Sequence, residues 1–275
     1  MTGSEVERIQ KGRTTFPLLR SLVSARVLRV SGAFLLLLVI WQFLHSFVIN
    51  PFLLPSPGTV ASTLWKLLES GELLSDIAAS MRRILIGYFM GCFIGIVLGL
   101  LMGRFLWIND VLSAPLELIR PLSPVAMLPL VLIWFGIEEF AKYFLVAYTA
   151  TIVVLINTVA GVTSMPVIRE RAAACLGASH LQTFLHIVLP SAIPYIVTGM
   201  RAALGLSFMA IVAAELIAAE SGVGYLIMQS RMLLQVDQIF AGLITLSILG
   251  LLSDLIFRVT LARLARRYQL EVFNV

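Results

Sequence analysis

The residues able to carry out chemistry are sparse in this sequence and lack the spacings of known catalytic motifs. No G-x-x-x-x-G-K-[ST] phosphate loop occurs in the chain, which excludes nucleotide hydrolysis by that route. No H-E-x-x-H, paired Asp or G-x-S-x-G lies within an apolar segment, so nothing supports an intramembrane enzyme. His45, His180 and His186 do not form a metal set. We therefore predict no catalytic residue and no metal site.

Ionisable side chains inside apolar segments indicate another kind of chemistry, the handling of a charged solute. Each costs at least about 2.5 kcal/mol at the bilayer centre, so each needs a physical reason. Arg201 would either reach the headgroups or provide a cationic lining for an anion. Arg120 would either pair with Glu117, three residues earlier, or attract an anion. Glu215 would repel an anion, so we predict that it is partnered or partly exposed and has a structural or gating role.

The predicted substrate path joins these two arginines to nearby residues that could line a passage. A helix end unwound near Arg120 would also offer backbone N–H groups to an anion. Ordinary packing remains the alternative for the apolar members, because apolar residues at helical spacing usually pack. The predicted path residues are Arg120, Met127, Trp134, Arg201, Ser207 and Phe208.

The composition places these residues in a membrane protein. Of 275 residues, 59% are hydrophobic and only 13% are charged, and the mean hydropathy is +0.98. Soluble domains are nearer half apolar and a quarter charged, so the surrounding solvent must be lipid. The positive charge sits mainly at the two chain ends, which indicates membrane topology rather than a nucleic-acid partner.

Six apolar segments are long enough to cross a hydrocarbon core, which takes roughly 20 helical residues. They cover approximately 31–49, 84–103, 112–135, 140–162, 195–217 and 235–257. The third carries Pro121, Pro124 and Pro129, so we expect it to be kinked or partly unwound, and five spans remain an alternative. The predicted fold class is all-α, with about six transmembrane helices.

Basic residues determine the predicted direction of these spans. They cluster before the first span and after the last: Arg8, Lys11, Arg13, Arg20, Arg26, Arg29, Arg258, Arg263, Arg266 and Arg267. Both termini should therefore be cytoplasmic. The predicted parts are a basic N-terminal segment (1–30), a membrane domain (31–257) with an outer loop (50–83) and a cytoplasmic loop (163–194), and a C-terminal tail (258–275).

Two arginines oppose this topology, and one set of glycines predicts close helix packing. Arg82 and Arg83 fall at the outer end of the second span, where Glu69, Glu72 and Asp76 could offset them. Glycines recur every fourth residue along that span, so they share one helix face and permit a close backbone approach. That contact lies either within one subunit or between subunits. The glycines are Gly87, Gly91, Gly95, Gly99 and Gly103.

The cytoplasmic loop contains the stretch 171–190, RAAACLGASHLQTFLHIVLP. Its alanines favour helix and Gly177 interrupts it, after which Leu181, Leu185 and Val188 restore an apolar stripe. We predict a helix, a bend and a second short helix that Pro190 ends before the next span. The residues alone leave a docking role and a simple interfacial helix equally open. Cys175 here, like Cys92 in the second span, is predicted to be an unbridged thiol.

This stretch resembles the cytoplasmic "EAA" loop of ABC importer permeases, whose pattern is E-A-A, three residues, Gly, nine residues, I-x-L-P. Ala172, Ala173 and Gly177 match at the required spacing, as does the I-x-L-P ending at 187–190. Arg171 departs from the usual glutamate, with Glu170 one residue earlier. Further segments resemble the branch that imports nitrate, sulfonates and taurine: LPSPGTV (54–60), RPLSPVAMLPLVLIWFGI (120–137), INTVAGV (156–162) and VAAELIAAESGVGYLI (212–227).

The resemblance implies the permease subunit of an ATP-driven importer for a small anion, with a type I-like fold in a bacterial inner membrane. It implies a second permease copy in a homodimer, two ABC ATPase subunits and an extracytoplasmic solute-binding protein. This chain would bind no cofactor, because ATP and Mg²⁺ would be bound by the ATPase. The implied ATPase-coupling residues are Glu170, Arg171, Ala172, Ala173, Leu176, Gly177 and Ala178.

The alternative from another class is a self-sufficient secondary transporter or channel. Such a protein would show an internal repeat, or more paired intramembrane charges than the sequence suggests.

Overall fold

A computed structural model of the protein describes residues 31–264, which form helices joined by short turns and include no β-strand. The all-α prediction is thereby confirmed. The helices are α1 (Ser31–Val48), α2 (Pro57–Glu69), α3 (Glu72–Arg104), α4 (Leu106–Ile119), α5 (Pro124–Phe135), α6 (Glu139–Thr163), α7 (Val167–Cys175), α8 (His180–Ala218), α9 (Val223–Met232) and α10 (Val236–Leu264). The predicted N-terminal segment 1–30 and residues 265–275 of the predicted tail lie outside the described residues.

The chain divides into two compact units, Met1–Ser62 and Thr63–Val275. In the first, α1 is an apolar helix of 18 residues with a mean hydropathy of 1.8, and it ends in a π-helical turn, Leu44–Val48. The chain then folds back on α1. Trp41 donates a hydrogen bond from Nε1 to the carbonyl of Pro55 (3.1 Å), and Nδ1 of His45 lies 2.6 Å from the carbonyl of Leu54.

In the second unit, α3 and α6 run parallel and pack closely along the glycine stripe. A Cβ atom on Gly87 would lie 2.6 Å from Cβ of Val146, and one on Gly103 would lie 2.6 Å from Cβ of Val162. Between these ends, a Cβ on Gly95 would lie 2.7 Å from the Thr151 carbonyl. Contacts this short leave room only for glycine. The stripe therefore packs within one chain, which is the first of the two possibilities that its spacing left open.

Helix α8 packs against α3 and α6 around a common core, and it runs antiparallel to α6. A Cβ on Gly161 would lie 2.8 Å from Cβ of Tyr195, and one on Gly199 would lie 2.7 Å from Cβ of Asn157. The core between the three helices contains Tyr88 and Cys92 of α3, Val154 of α6 and Phe208 of α8, all buried. Small residues that let helix backbones approach closely are typical of helix packing in lipid.

Because α3 and α6 are parallel, the 34 residues between them must return to the end from which α3 started. The bent pair α4–α5 makes that return, with an angle of 100° between the two helices. Counting it as one crossing gives six candidate spans, and the predicted kink of the third span is confirmed. Pro124 begins α5, where its missing N–H and fixed φ are tolerated, with Ser123 as the N-cap.

Two predicted boundaries are wrong. First, α3 begins at Glu72, so residues 72–83 are helical rather than part of a loop. Second, Pro190 does not end a helix before the next span, since α8 continues from His180 to Ala218. A π-helical turn, Phe184–Val188, precedes Pro190 and widens the helix there. That wider turn accommodates a proline ring, which in a regular helix would clash with the carbonyl four residues earlier.

Candidate functional site

The turn between α7 and α8 is built by two consecutive capping motifs. Gly177 has φ +78°, and the N–H of Ala178 donates to the carbonyl of Ala173 (3.0 Å) while that of Gly177 donates to Ala174 (3.0 Å). This is the Schellman arrangement, in which a left-handed residue, usually glycine, ends a helix. Ser179 then begins α8 in a capping box with Gln182. The predicted helix–bend–helix is present, and the glycine has a geometric reason.

The predicted coupling residues surround this turn and are mostly exposed. Leu176 is 88% exposed although it is a large apolar residue, whereas Ala173 is buried. Exposed side chains of Arg171, Ala172 and Cys175 share the surface of α7 with it. Cys175 and the buried Cys92 are both free thiols, as predicted. Val167 (58% exposed) and Ile168 (69% exposed) add further exposed apolar side chains to this short helix.

Glu170, the acid next to Arg171, forms an ion pair that the sequence did not predict. Its Oε1 accepts a hydrogen bond from Nη1 of Arg104 at 2.6 Å, with side chains 34% and 26% exposed respectively. Arg104 is the last residue of α3. The glutamate therefore ties α7 to the membrane helices and is turned away from Arg171.

Arg120 lies at the break between α4 and α5, beside a cavity of about 420 Å³. Ser123, Tyr148, Thr149 and Met209 are among the other lining residues. Tyr148 donates from its hydroxyl towards the carbonyls of Ile119 (2.9 Å) and Leu122 (3.1 Å), which satisfies backbone groups freed by the break. Within residues 31–264 no ion pair joins Arg120 to Glu117, so that predicted pair is wrong.

The structure does not bring the other predicted path residues to Arg120. Arg201 is held by Asp254 of α10, with Nε 2.7 Å from Oδ1, so neither snorkelling nor a free cationic lining describes it. Ser207 is fully buried and donates to the carbonyl of Ala203, and Phe208 is a core residue. The remaining two lie on α5: Met127 packs partly buried and Trp134 is exposed.

A buried ion cluster around Arg83, in the N-terminal half of α3, was missed by sequence reasoning. Arg83, 2% exposed, donates to Glu215 of α8 (2.8 Å) and bonds both carboxylate oxygens of Glu139 of α6 (2.7 and 2.8 Å). Lys142 adds a second cation 2.9 Å from Glu139. Glu215 is partnered, as predicted, but it is 1% exposed, so the partial exposure offered as an alternative is wrong. Arg83 forms ion pairs with Glu139 and Glu215, and of the three predicted acids Asp76 interacts with it electrostatically without an ion pair.

The ion cluster also holds the turn between α8 and α9. Arg83 donates to the carbonyl of Ser221 (2.5 Å), and Glu215 accepts from the N–H of Gly224 (3.0 Å). Asp76 accepts from the N–H of Gly222 (2.7 Å). Gly222 has φ +117° and lies directly against the Glu215 carboxylate, where no side chain would fit. In the sequence, this turn could have been predicted from the run E-S-G-V-G at 220–224, which begins five residues after Glu215.

Comparisons with known proteins agree with these features. Residues 91–269 match the family described as binding-protein-dependent transport system inner membrane component. The putative aliphatic sulfonates transport permease protein SsuC of Escherichia coli (strain K12) is 40% identical over 83% of this chain and 88% of its own length. The taurine transport system permease protein TauC of the same organism is 35% identical over 88% and 90%.

A solved structure has the same fold. A chain of the MetNI methionine ABC transporter, in inward-facing conformations, matches with a TM-score of 0.60 at 18% identity, covering 72% of this chain and 96% of that chain. The family match spans more than half of the chain, and two relatives share over 30% identity across most of it. This chain is a multi-pass inner-membrane protein that belongs to the binding-protein-dependent transport system inner membrane components.

Proposed function

We propose that this chain is the permease subunit of an ATP-binding-cassette importer, in which it forms the path for a small anion of the sulfonate or taurine class. A solute-binding protein delivers the anion, and a separate ATPase subunit binds ATP and Mg²⁺ and drives transport. The chain itself has no catalytic role and binds no cofactor. The similarity of this chain to sulfonate and taurine permeases supports the solute class.

The observation that carries this proposal is the exposed α7 helix and its Gly177 turn. The helix is only nine residues long, exposes Leu176 almost completely and is tied to the end of α3 by Arg104. A force applied to α7 would therefore reach a membrane helix directly. The N-terminal and C-terminal basic residues favour a cytoplasmic location for both chain ends and for α7.

Arg120 is the residue we propose for the anion path. Arg201, the other predicted cation, is neutralised by Asp254, whereas Arg120 has no ion-pair partner among residues 31–264. It lies at the broken span, beside the hydroxyls of Ser123 and Thr149. The cavity is open at the surface, where Val125 and Met209 are 54% and 72% exposed. A second copy of the chain, in a homodimer, would enclose it.

The coupling role is tested with two glycines that have the same φ angle. Gly177 and Gly71 both have φ +78°, and a Cβ atom would meet nothing within 4 Å at either. Alanine at either position should therefore cost about 1–2 kcal/mol of left-handed strain and create no clash. Complexes with the cognate ATPase and binding protein are reconstituted in liposomes. We expect Gly177→Ala to lower solute-stimulated ATP hydrolysis and uptake, and Gly71→Ala to leave both near wild type.

Equal effects of the two alanines would contradict a coupling role for the α7 turn. Uptake by this chain without any ATPase would instead favour a self-sufficient secondary transporter. The paired charges around Arg83 and Arg201 are more numerous than the sequence suggested, so this alternative is worth the direct test.

The anion path is tested by removing and then restoring the charge at Arg120. We expect Arg120→Gln to lower uptake of an alkanesulfonate at least about tenfold, and Arg120→Lys to retain a substantial part of it, because a point cation still attracts the anion. Assembly with the ATPase should not change in either variant. Uptake by Arg120→Gln at the wild-type rate would contradict this role for the residue.

A further inference from the structure

We infer that the ATPase cleft which receives α7 presents an acidic side chain to Arg171. This inference rests on the proposed function and concerns the same docking helix. It specifies the charge of the partner surface, which neither the fold nor the family match determines.

The residues of α7 separate into two opposite faces. Successive residues of a helix differ by about 100°, so Ile168, Arg171, Ala172 and Cys175 lie within about 100° of one another. All four side chains are exposed, Ile168 by 69%, and they are called the exposed face of α7. Glu170 and the buried Ala173, three residues apart, share the opposite face, which is turned toward the rest of the chain.

The exposed face therefore consists of small and apolar groups around a single cation. The neighbouring acid is not available to neutralise it, since Glu170 is engaged by Arg104 at 2.6 Å. Arg171 has no ion pair within residues 31–264. Helix α7 carries two cations, Arg169 and Arg171, and one acid, Glu170, so its net charge is positive.

Docking would take Arg171 out of water together with its apolar neighbours. A cation desolvated at an interface without a countercharge opposes binding, whereas a hydrogen-bonded carboxylate compensates for the lost solvation. A cleft with a basic group opposite this position would repel α7. The partner that fits is therefore an ATPase whose cleft combines an apolar floor with an aspartate or glutamate opposite Arg171.

The acid is located with the native thiol on the same face. Cys175 is exposed, while Cys92 is buried, so a thiol crosslinker applied to the assembled complex reports on α7. Single cysteines are introduced along the cleft of the cognate ATPase, and those that crosslink to Cys175 identify the residues near Arg171, four positions and one helical turn away. Cys175→Ser is the control that should abolish every crosslink.

The charge is then tested by reversal and rescue. We expect Arg171→Glu to weaken the complex at least about tenfold and to weaken its dependence on ionic strength. Exchange of the located acid for arginine in the ATPase should restore binding and uptake to this variant and impair them with wild-type permease. Arg169→Glu is the matched control. Arg169 is also exposed but does not belong to the exposed face of α7, so reversing its charge should change the affinity much less.

Wild-type affinity in Arg171→Glu, or equal losses in the two reversals, would overturn the inference while leaving the proposed function intact. Failure of the wild-type chain to bind any ATPase would contradict the proposed function itself. A cleft that carries only basic or neutral residues near Cys175 would also overturn the acidic complement.

Discussion

Two arginines hold α3, one in its N-terminal half and one at its last residue, and they do so in opposite ways. Arg83 and Arg104 are 21 residues apart, which is about 30 Å of helix and matches the hydrocarbon thickness of a bilayer. Arg83 is buried and shared among two glutamates and a backbone carbonyl. Arg104 is partly exposed and has one glutamate as its ion-pair partner. The helix is fixed at the level of Arg83, and its last residue holds the exposed helix α7.

The difference in burial explains how a single chain can be both rigid and movable. Taking a charge out of water is costly, so a buried cluster persists only with nearly complete pairing, and it resists rearrangement. A partly exposed pair contributes little and can be broken and reformed at small cost. We therefore expect α3 to stay fixed at the level of Arg83, while its Arg104 end follows α7 when a partner moves that helix.

The largest expected effect is the loss of the buried countercharge. Arg83→Met would leave Glu215 buried and opposed by no cation, and we expect a loss of about 3–5 kcal/mol in the free energy of unfolding. Thermal unfolding in detergent micelles measures it. The adjacent Arg82→Met is the control, since Arg82 is 61% exposed at its side chain and 3.6 Å from Glu139. It should cost less than about 1 kcal/mol.

Comparable losses of unfolding free energy in Arg83→Met and Arg82→Met would contradict the role given to burial of Arg83. The double change Arg83→Met with Glu215→Leu sharpens the comparison, because it removes both buried charges together. If desolvation dominates, the double variant should be more stable than Arg83→Met alone.

A smaller loss of stability is expected from the glycine stripe where α3 packs against α6, between Arg83 and Arg104. Gly95→Ala would place a methyl group 2.7 Å from the Thr151 carbonyl, so the backbones must separate, at about 1–3 kcal/mol. Gly205 of α8 is the control, because a Cβ atom there would meet nothing within 4 Å. Gly205→Ala should be neutral or stabilising by up to about 1 kcal/mol through helix propensity. The same unfolding measurement applies. A Gly95→Ala variant as stable as the wild type would show that α3 and α6 are not closely packed at this position.

Sequence reasoning succeeded where a local pattern has one physical solution. The four-residue glycine repeat required a close helix contact, and the prolines at 121 and 124 required a break. It failed where partners are distant in the chain: Arg83 meets Glu215 across 132 positions and Arg201 meets Asp254 across 53. The local acids at 69, 72 and 76 form no ion pair with Arg83.

The smallest expected change in stability comes from breaking the Glu170–Arg104 pair, although the effect on transport should be the greatest there. Glu170→Gln removes the charge that holds α7 to Arg104, and since both side chains are about one third exposed, it should cost less than about 1 kcal/mol. Solute-stimulated ATP hydrolysis should nevertheless lose its link to uptake, so that more ATP is consumed per solute transported. Arg104→Lys retains a cation and should largely preserve that ratio. If Glu170→Gln instead lowers stability as much as Arg83→Met does, the Arg83 and Arg104 contacts of α3 are both structural anchors, and this comparison between them fails.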